Sequence, residues 1–387
     1  MKACLDLTAL ATPDRFRGIG RYAAGLAAGL AHADDGDGLE LSALVIRQRS
    51  PVVVPLEQGV QWAAAPERLF DNFTAYNLWK RARLPGALGR AGVDLLHAPD
   101  PKGTPRPGRV RVVVTCHDLI PYMLGAPYLP RLWPRPAQRV VEWLRYHLPH
   151  HVIAISEHTR RDLQAATNLP DSRVSVIHHG IDRALFSPHA APDDAGLVDE
   201  VAGPGPYLLY VGAFDPRRQV KLLLSAFARA SAKIEHRLLL CGAPYADQRA
   251  RLNALLQRMG MEQRVLLVEH VPQRTLTALY RRAAAHVMLS NYEGFGMTLF
   301  EAMACGCPVV ALDASCSSEL CGDGALLLPP TSGPERVAAE LVSVATDQDL
   351  RRDLVARGLA RVERFTWAKC AGQTRQVYGR VLERPAR

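Results

Sequence analysis

The chain has 387 residues, 48% of them hydrophobic, enough for two domains with separate cores. Its formal net charge of +9 suits nucleic acid, an anionic membrane surface or phosphorylated ligands. No helix-turn-helix, zinc-finger or RNA-recognition pattern accompanies the charge, which argues against nucleic acid, and no run of ~18 apolar residues offers a transmembrane helix.

In chain order, MKACLDLTAL reads as a first strand with an acidic residue inside it, and not as a signal peptide. Further strands are expected at 41–46, 95–98, 110–116, 152–155 and 174–177, with helices at 20–31, 138–147 and 157–166. The second half repeats the alternation. Strands are expected at 207–211, 237–241, 265–268, 286–290, 309–312 and 325–328. Helices are expected at 220–230, 248–259, 274–283, 298–305, 334–345 and 350–364. Such alternation argues for an α/β fold of parallel sheets covered on both faces. The segment 187–206, SPHAAPDDAGLVDEVAGPGP, has the composition of a linker and places a boundary near Gly205. The domains expected are 1–204 and 205–364, followed by a last helix within 365–387.

Eight scattered cysteines without an export signal imply reduced thiols and a cytoplasmic protein. Cys305, Cys307, Cys316 and Cys321 cluster in sequence but lack paired zinc spacing, and no metal site is expected. Asp35-Gly36-Asp37 imitates a D-x-D metal motif, yet it sits in a Gly/Asp-rich turn and reads as solvated. Gly18-Ile19-Gly20-Arg21-Tyr22-Ala23 fits G-x-G-x-x-G/A and opens a helix. A nicotinamide reading fails, because residues 8–17 separate the glycines from strand one and Ile46-Arg47 stand where an acidic residue should close strand two. The glycines are read instead as backbone donors to a ligand. His117-Asp118 ends an apolar strand, where a histidine faces a ligand more readily than the core; Asp118 either orients it or caps the following turn. His97 is a second candidate of this kind.

The most informative segment is EGFGMTLFEAMACGCPVV, residues 293–310. Seven residues separate Glu293 from Glu301, with a Gly-Phe-Gly loop after the first. Gly294 and Gly296 permit close backbone approach, and the N–H groups of Gly296, Met297 and Thr298 are free at a helix start, which attracts phosphate. Glu301 can accept two hydrogen bonds from a ribose diol, and Glu293 can do the same for a sugar hydroxyl. Diol, diphosphate and hexose in a row describe a nucleotide sugar.

This segment resembles the E-x7-E signature of the retaining group 4 glycosyltransferases, which have two Rossmann-like domains facing across a cleft (the GT-B fold). The resemblance implies a hexosyltransferase in which Glu293 lies by the transferred sugar and Glu301 holds the ribose. It implies that His117 contacts the same sugar, that Gly20 lies near the donor phosphate and the acceptor, and that Gly294, Phe295, Gly296, Met297 and Thr298 line the donor. Gly212-Ala213-Phe214-Asp215-Pro216-Arg217-Arg218 matches the donor-phosphate loop, with Arg218 in place of the usual Lys and Ala213 in place of the usual Arg. Some members thought to use GDP-mannose also lack that first Arg, which tilts the donor toward GDP-mannose. The resemblance also implies that main-chain groups near Val271 read the base and that Glu319 is a supporting residue. By the same resemblance, the last helix is expected to cross back to the N-terminal domain.

No cofactor is implied, and front-face transfer without a metal is expected. The acceptor implied is a glycan or lipid-linked glycan. The mixture of aromatics, leucines and arginines in 122–148 suits peripheral contact with an anionic inner leaflet, or alternatively a helix packed on its own sheet. Three rivals stay open: a nucleotide-sugar epimerase of the same fold, a phosphorylase, and a non-catalytic nucleotide-binding scaffold.

Overall fold

The hydrophobic runs pair into two sheets in the computed structural model, which describes residues 1–16, 18–32, 38–64, 73–106, 108–125, 128 and 135–383. Every strand expected from sequence forms. Two compact units result, residues 1–180 with 365–383, and residues 181–364.

Unit 1 runs β1 Lys2–Asp6, α1 Gly18–Ala31, β2 Glu40–Arg47, β3 Ser50–Pro55, α2 Leu56–Ala64, α3 Phe73–Arg90, β4 Leu95–Ala98 and β5 Arg111–Cys116. It continues with α4 Ile120–Leu124, α5 Arg135–His147, β6 His151–Ala154, α6 Glu157–Thr167 and β7 Val174–Val176. The sheet order is β3-β2-β1-β4-β5-β6-β7, parallel except for β3. β3 escaped the sequence reading because its hairpin turn places Gln48 and Arg49, and no glycine, at positive φ (50° and 60°). Pro51 and Pro55 are tolerated there because β3 is an edge strand. The helices α2, α3 and α4 were also unread; α3 carries Pro85 in its interior, which argues against a helix.

The acidic residue inside strand one is paired. Lys80 Nζ lies 3.0 Å from Asp6 Oδ2, with both side chains buried. Asp6 Oδ1 accepts the Thr8 N–H at 2.9 Å, and the Thr8 hydroxyl meets Tyr76 Oη at 2.8 Å. A charge enclosed this way is tolerated only because every partner is present.

Unit 2 runs α7 Asp194–Ala202, β8 Tyr207–Val211, α8 Val220–Ala230, β9 Arg237–Cys241, α9 Ala246–Met259, β10 Val265–Val268, α10 Gln273–Arg282 and β11 Ala285–Met288. It ends with α11 Met297–Ala304, β12 Val309–Leu312, α12 Ser317–Cys321, β13 Leu326–Leu328, α13 Pro334–Thr346 and α14 Gln348–Val362. Its parallel sheet has the order β10-β9-β8-β11-β12-β13, the doubly wound arrangement grown outward from the middle.

The domain boundary differs from the expected one: it falls between Gly180 and Ile181, not near Gly205. Composition made 187–206 look like a linker, but α7 within it is anchored to unit 2. Arg281 of α10 grips Asp194 through two bonds of 2.6 Å, and Val198 and Ala202 are buried. Glu319 lies in the short helix α12.

The last helix, α15 Trp367–Glu383, belongs to unit 1. It packs on α1, and Cys370, Ala371, Val377, Tyr378 and Val381 enter the unit 1 core. The approach is close enough that a Cβ on Gly29 of α1 would stand 2.6 Å from the Trp367 carbonyl oxygen. Gly29→Ala should therefore cost about 1–3 kcal/mol through overpacking against backbone. Gly372→Ala on α15, where a Cβ meets nothing within 4 Å, should gain about 0.5–1 kcal/mol from helix propensity. Opposite shifts of the unit 1 denaturation midpoint are the expected result, and equal shifts would rule out this account of the α1–α15 packing.

Candidate functional site

In unit 2 the strand order reverses between β8 and β11, so the loops leaving their C-terminal ends turn apart and open a crevice between them. The β8 loop begins at Gly212, whose φ of 153° and missing side chain leave room for Arg218; a Cβ there would lie 3.2 Å from Arg218 Nη1. A short 3-10 turn, Pro216–Arg218, then presents two arginines in succession. The β11 loop is tied to it, since Asn291 N–H donates to the Arg217 carbonyl at 2.9 Å.

Glu293 is the centre of the arrangement. Its side chain is nearly enclosed, with the residue 7% exposed. Oε1 accepts from a guanidinium nitrogen of Arg217 and from the Ser290 hydroxyl at 2.7 Å, and Arg218 Nε pairs with it electrostatically at 2.9 Å. Its backbone is fixed from the β12 side, where Ser315 Oγ accepts the Glu293 N–H at 2.9 Å and Cys316 Sγ lies 3.2 Å from the Glu293 carbonyl. With Oε1 committed to the arginines, Oε2 is the oxygen left for a ligand hydroxyl.

The start of α11 stands beside this cluster. Gly296 caps it in the left-handed region (φ 73°), and the first-turn N–H groups of Met297 and Thr298 have no intrahelical acceptor by helix geometry. Thr298 Oγ1 and Arg218 Nη1 meet the same Met288 sulfur, at 3.2 and 3.0 Å. Arg218 and the helix N-terminus are thus neighbours, an anion-attracting pair. Phe295 is buried with its ring stacked on Phe300 (centroids 5.0 Å apart), so it offers main chain only.

Glu301, one turn into α11, is fully enclosed, and the Tyr280 hydroxyl donates to its Oε2 at 3.1 Å. Val271 follows β10 half-buried; among the described residues no recorded hydrogen bond joins it to the Glu293 cluster.

Unit 1 carries the remaining sequence candidates. Gly20 is buried in the first turn of α1, while Gly18 is exposed. His117 follows β5, and its Nε2 lies 2.9 Å from the Pro99 carbonyl. A carbonyl only accepts, so Nε2 carries the proton and Nδ1 the lone pair. Burial holds the His117 pKa below its usual value, although Asp118 pulls the other way. Asp118 itself caps the following turn, its Oδ1 accepting the Ile120 N–H at 3.1 Å. Tyr22 of α1 sets its ring edge-on to His117 (5.0 Å) and stacks on His179 (4.6 Å). His97 is a core residue bonded to Thr115 and Tyr378, not a ligand-facing one.

All eight cysteines are free and buried, and those with perturbed titration are pushed up by desolvation, which suits packing and not redox chemistry. Among the described residues no three His, Cys, Asp or Glu side chains gather around one point as metal ligands. Asp35-Gly36-Asp37 lies outside the described residues.

Sequence reasoning missed Arg217, Ser290, Ser315, Tyr280 and Tyr22. The tandem Arg217-Arg218 and the Ser290-x-x-Glu293 spacing were the available signals for two of them; the others depend on contacts distant in sequence.

Residues 199–361 match the family "Glycosyl transferases group 1" and residues 16–185 match "Glycosyltransferase Family 4". Among curated relatives, an O-antigen chain mannosyltransferase B of Escherichia coli is 28% identical over 59% of this chain and 60% of its own length. A serotype-specific mannosyltransferase WbdA of the same organism is 25% identical over 70% of this chain. The chain spans 34% of that protein's length. An alpha-maltose-1-phosphate synthase of Mycolicibacterium smegmatis is 30% identical over 70% of this chain and 73% of its own. In fold, a sucrose-phosphate synthase of Thermosynechococcus elongatus aligns with a TM-score of 0.75 at 21% identity, covering 98% of this chain and 99% of that one. HepE of Anabaena, solved with UDP and glucose, aligns with a TM-score of 0.73 at 18% identity, covering 98% and 100%. A doubly wound unit with Glu293 at its switch point, with family matches over both halves of the chain, makes this protein a member of the group 4 glycosyltransferases with two Rossmann-like domains.

Proposed function

We propose that the protein transfers a hexose, with mannose favoured, from a nucleotide diphosphate sugar to a hydroxyl of a glycan or lipid-linked glycan, retaining the anomeric configuration. The observation that carries the reading is the Glu293–Arg217–Arg218 cluster beside the α11 N-terminus. The diphosphate takes its countercharge from Arg218 and the helix start, and Arg217 holds Glu293 in place. Glu293 Oε2 accepts from a hydroxyl of the hexose, and in unit 1 the bare Nδ1 of neutral His117 is an acceptor suited to a sugar hydroxyl. The leaving phosphate oxygen departs on the face where the acceptor attacks and takes the acceptor's proton, so no protein nucleophile is required. Main chain near Val271 reads the base. Two mannosyltransferases among the relatives and the missing arginine at Ala213 favour GDP-mannose. Glu301 takes the ribose only if its Tyr280 contact is exchanged for the diol.

We also propose that unit 1 works against an anionic inner leaflet. α5 buries Glu142 and Tyr146 while exposing Val140, Trp143, Leu144 and, just beyond it, Leu148. Leu144 and Leu148 border a groove of about 810 Å³ that Arg81, Lys102 and Arg106 also line. Apolar groups rimmed by cations suit peripheral insertion. No helix among the described residues is long and apolar enough to cross a membrane.

Glu293→Ala or His117→Ala should lower turnover on the order of 100-fold or more while GDP affinity survives. Arg218→Ala and Glu301→Ala should instead weaken GDP binding about 10-fold, read by titration calorimetry. Unchanged GDP affinity in both of the latter would remove the donor-site assignment, and a product assay showing an epimerised donor without transfer would replace the reading with epimerase. Sedimentation with phosphatidylglycerol vesicles should pull down the intact chain, and Trp143→Ser with Arg106→Ser should release it. Equal pull-down by neutral vesicles, or none by either kind, would sink the membrane proposal.

A further inference from the structure

His97 is a buried histidine that the proposed chemistry does not use, and it joins two parts of unit 1 that are far apart in sequence. Its Nδ1 lies 2.7 Å from the Tyr378 hydroxyl on α15, and its Nε2 lies 2.8 Å from Thr115 Oγ1 on β5. Thr115 Oγ1 in turn lies 3.1 Å from the Tyr22 hydroxyl on α1. All four side chains are buried, with no more than 1% exposure. Burial holds His97 down to about 3, so the ring is neutral with one N–H and one bare nitrogen. Tyr22 and Tyr378 are pushed up by the same burial and stay protonated.

These states tie the direction of one bond to that of the next. If Nδ1 donates to Tyr378, Thr115 must donate to Nε2 and accept from Tyr22; if Tyr378 donates to Nδ1, Nε2 donates to Thr115, whose hydroxyl then either donates to Tyr22 or accepts from it. The sense of the Tyr378–His97 bond fixes that of the His97–Thr115 bond, and such a chain is cooperative. At its far end the Tyr22 ring packs edge-on to His117 and face-on to His179, which also stacks near Trp367 at the start of α15.

We propose that Tyr378 and His97 are positioning residues, which hold Tyr22 through Thr115 and thereby set the place of the His117 ring. The inference rests on the catalytic reading of His117 only for its effect on turnover; the placement of the ring can be read without any substrate.

The test uses the full chain with histidines labelled with carbon-13 at Cε1. Tyr378→Phe and Thr115→Val should both move the His117 resonance and raise its titration midpoint, because a looser pocket hydrates the ring. Thr115→Ser, which keeps the hydroxyl, should restore both. A His117 signal unmoved in Tyr378→Phe and Thr115→Val, with folding intact, overturns the proposal. A shift that Thr115→Ser fails to restore also overturns it, since that would be lost packing and not a lost hydrogen bond. In turnover, Tyr378→Phe should lower kcat on the order of 10-fold with the donor KM unchanged, as a small misplacement does. Should His117→Ala retain full turnover, the catalytic reading falls while the resonance result still decides the positioning claim.

Discussion

A parallel sheet that grows outward from its first strand has one place where neighbouring loops leave in opposite directions, and unit 2 gathers its charged cluster there. The β8 loop brings Arg217 and Arg218, the β11 loop brings Glu293 and Ser290, and the β12 side brings Ser315. A single oxygen, Glu293 Oε1, gathers two guanidinium groups and a hydroxyl. That convergence makes the carboxylate rigid before any ligand arrives, and preorganised polar groups need no rearrangement when charge develops near them.

The two glutamates of the E-x7-E pair are therefore unequal. Glu293 precedes α11 and keeps one oxygen clear of the arginines. Glu301 lies inside the helix, fully enclosed, with a tyrosine hydroxyl on its carboxylate. Spacing alone treats them as a matched pair of ligand-holders. Packing separates them into a carboxylate held among arginines and one that supports α11 from within.

Much of the architecture could be read from the chain because its signals are local. Apolar runs of four to six residues made the strands, and glycines at Gly212 and Gly296 marked the loops where backbone had to bend or approach. The failures share a cause. Strand β3 turns without glycine, α3 contains a proline, and α7 hides in a stretch whose composition imitates a linker. Each is held by tertiary partners, as Asp194 is by Arg281, and a residue's distant partner leaves no trace in its neighbours. His97 shows the same limit, since its position at a strand end suggested a ligand-facing group while Tyr378, 281 residues away, draws it into the core.

Unit 1 is assembled from both ends of the described chain, with α15 completing a core begun by β1 and α1. Unit 2 is one uninterrupted stretch between them. During ribosomal synthesis, then, the second unit to be translated is the first that can finish folding. The earlier one must wait with part of its apolar surface uncovered until Trp367 and the residues behind it emerge, a window in which a chaperone has something to hold.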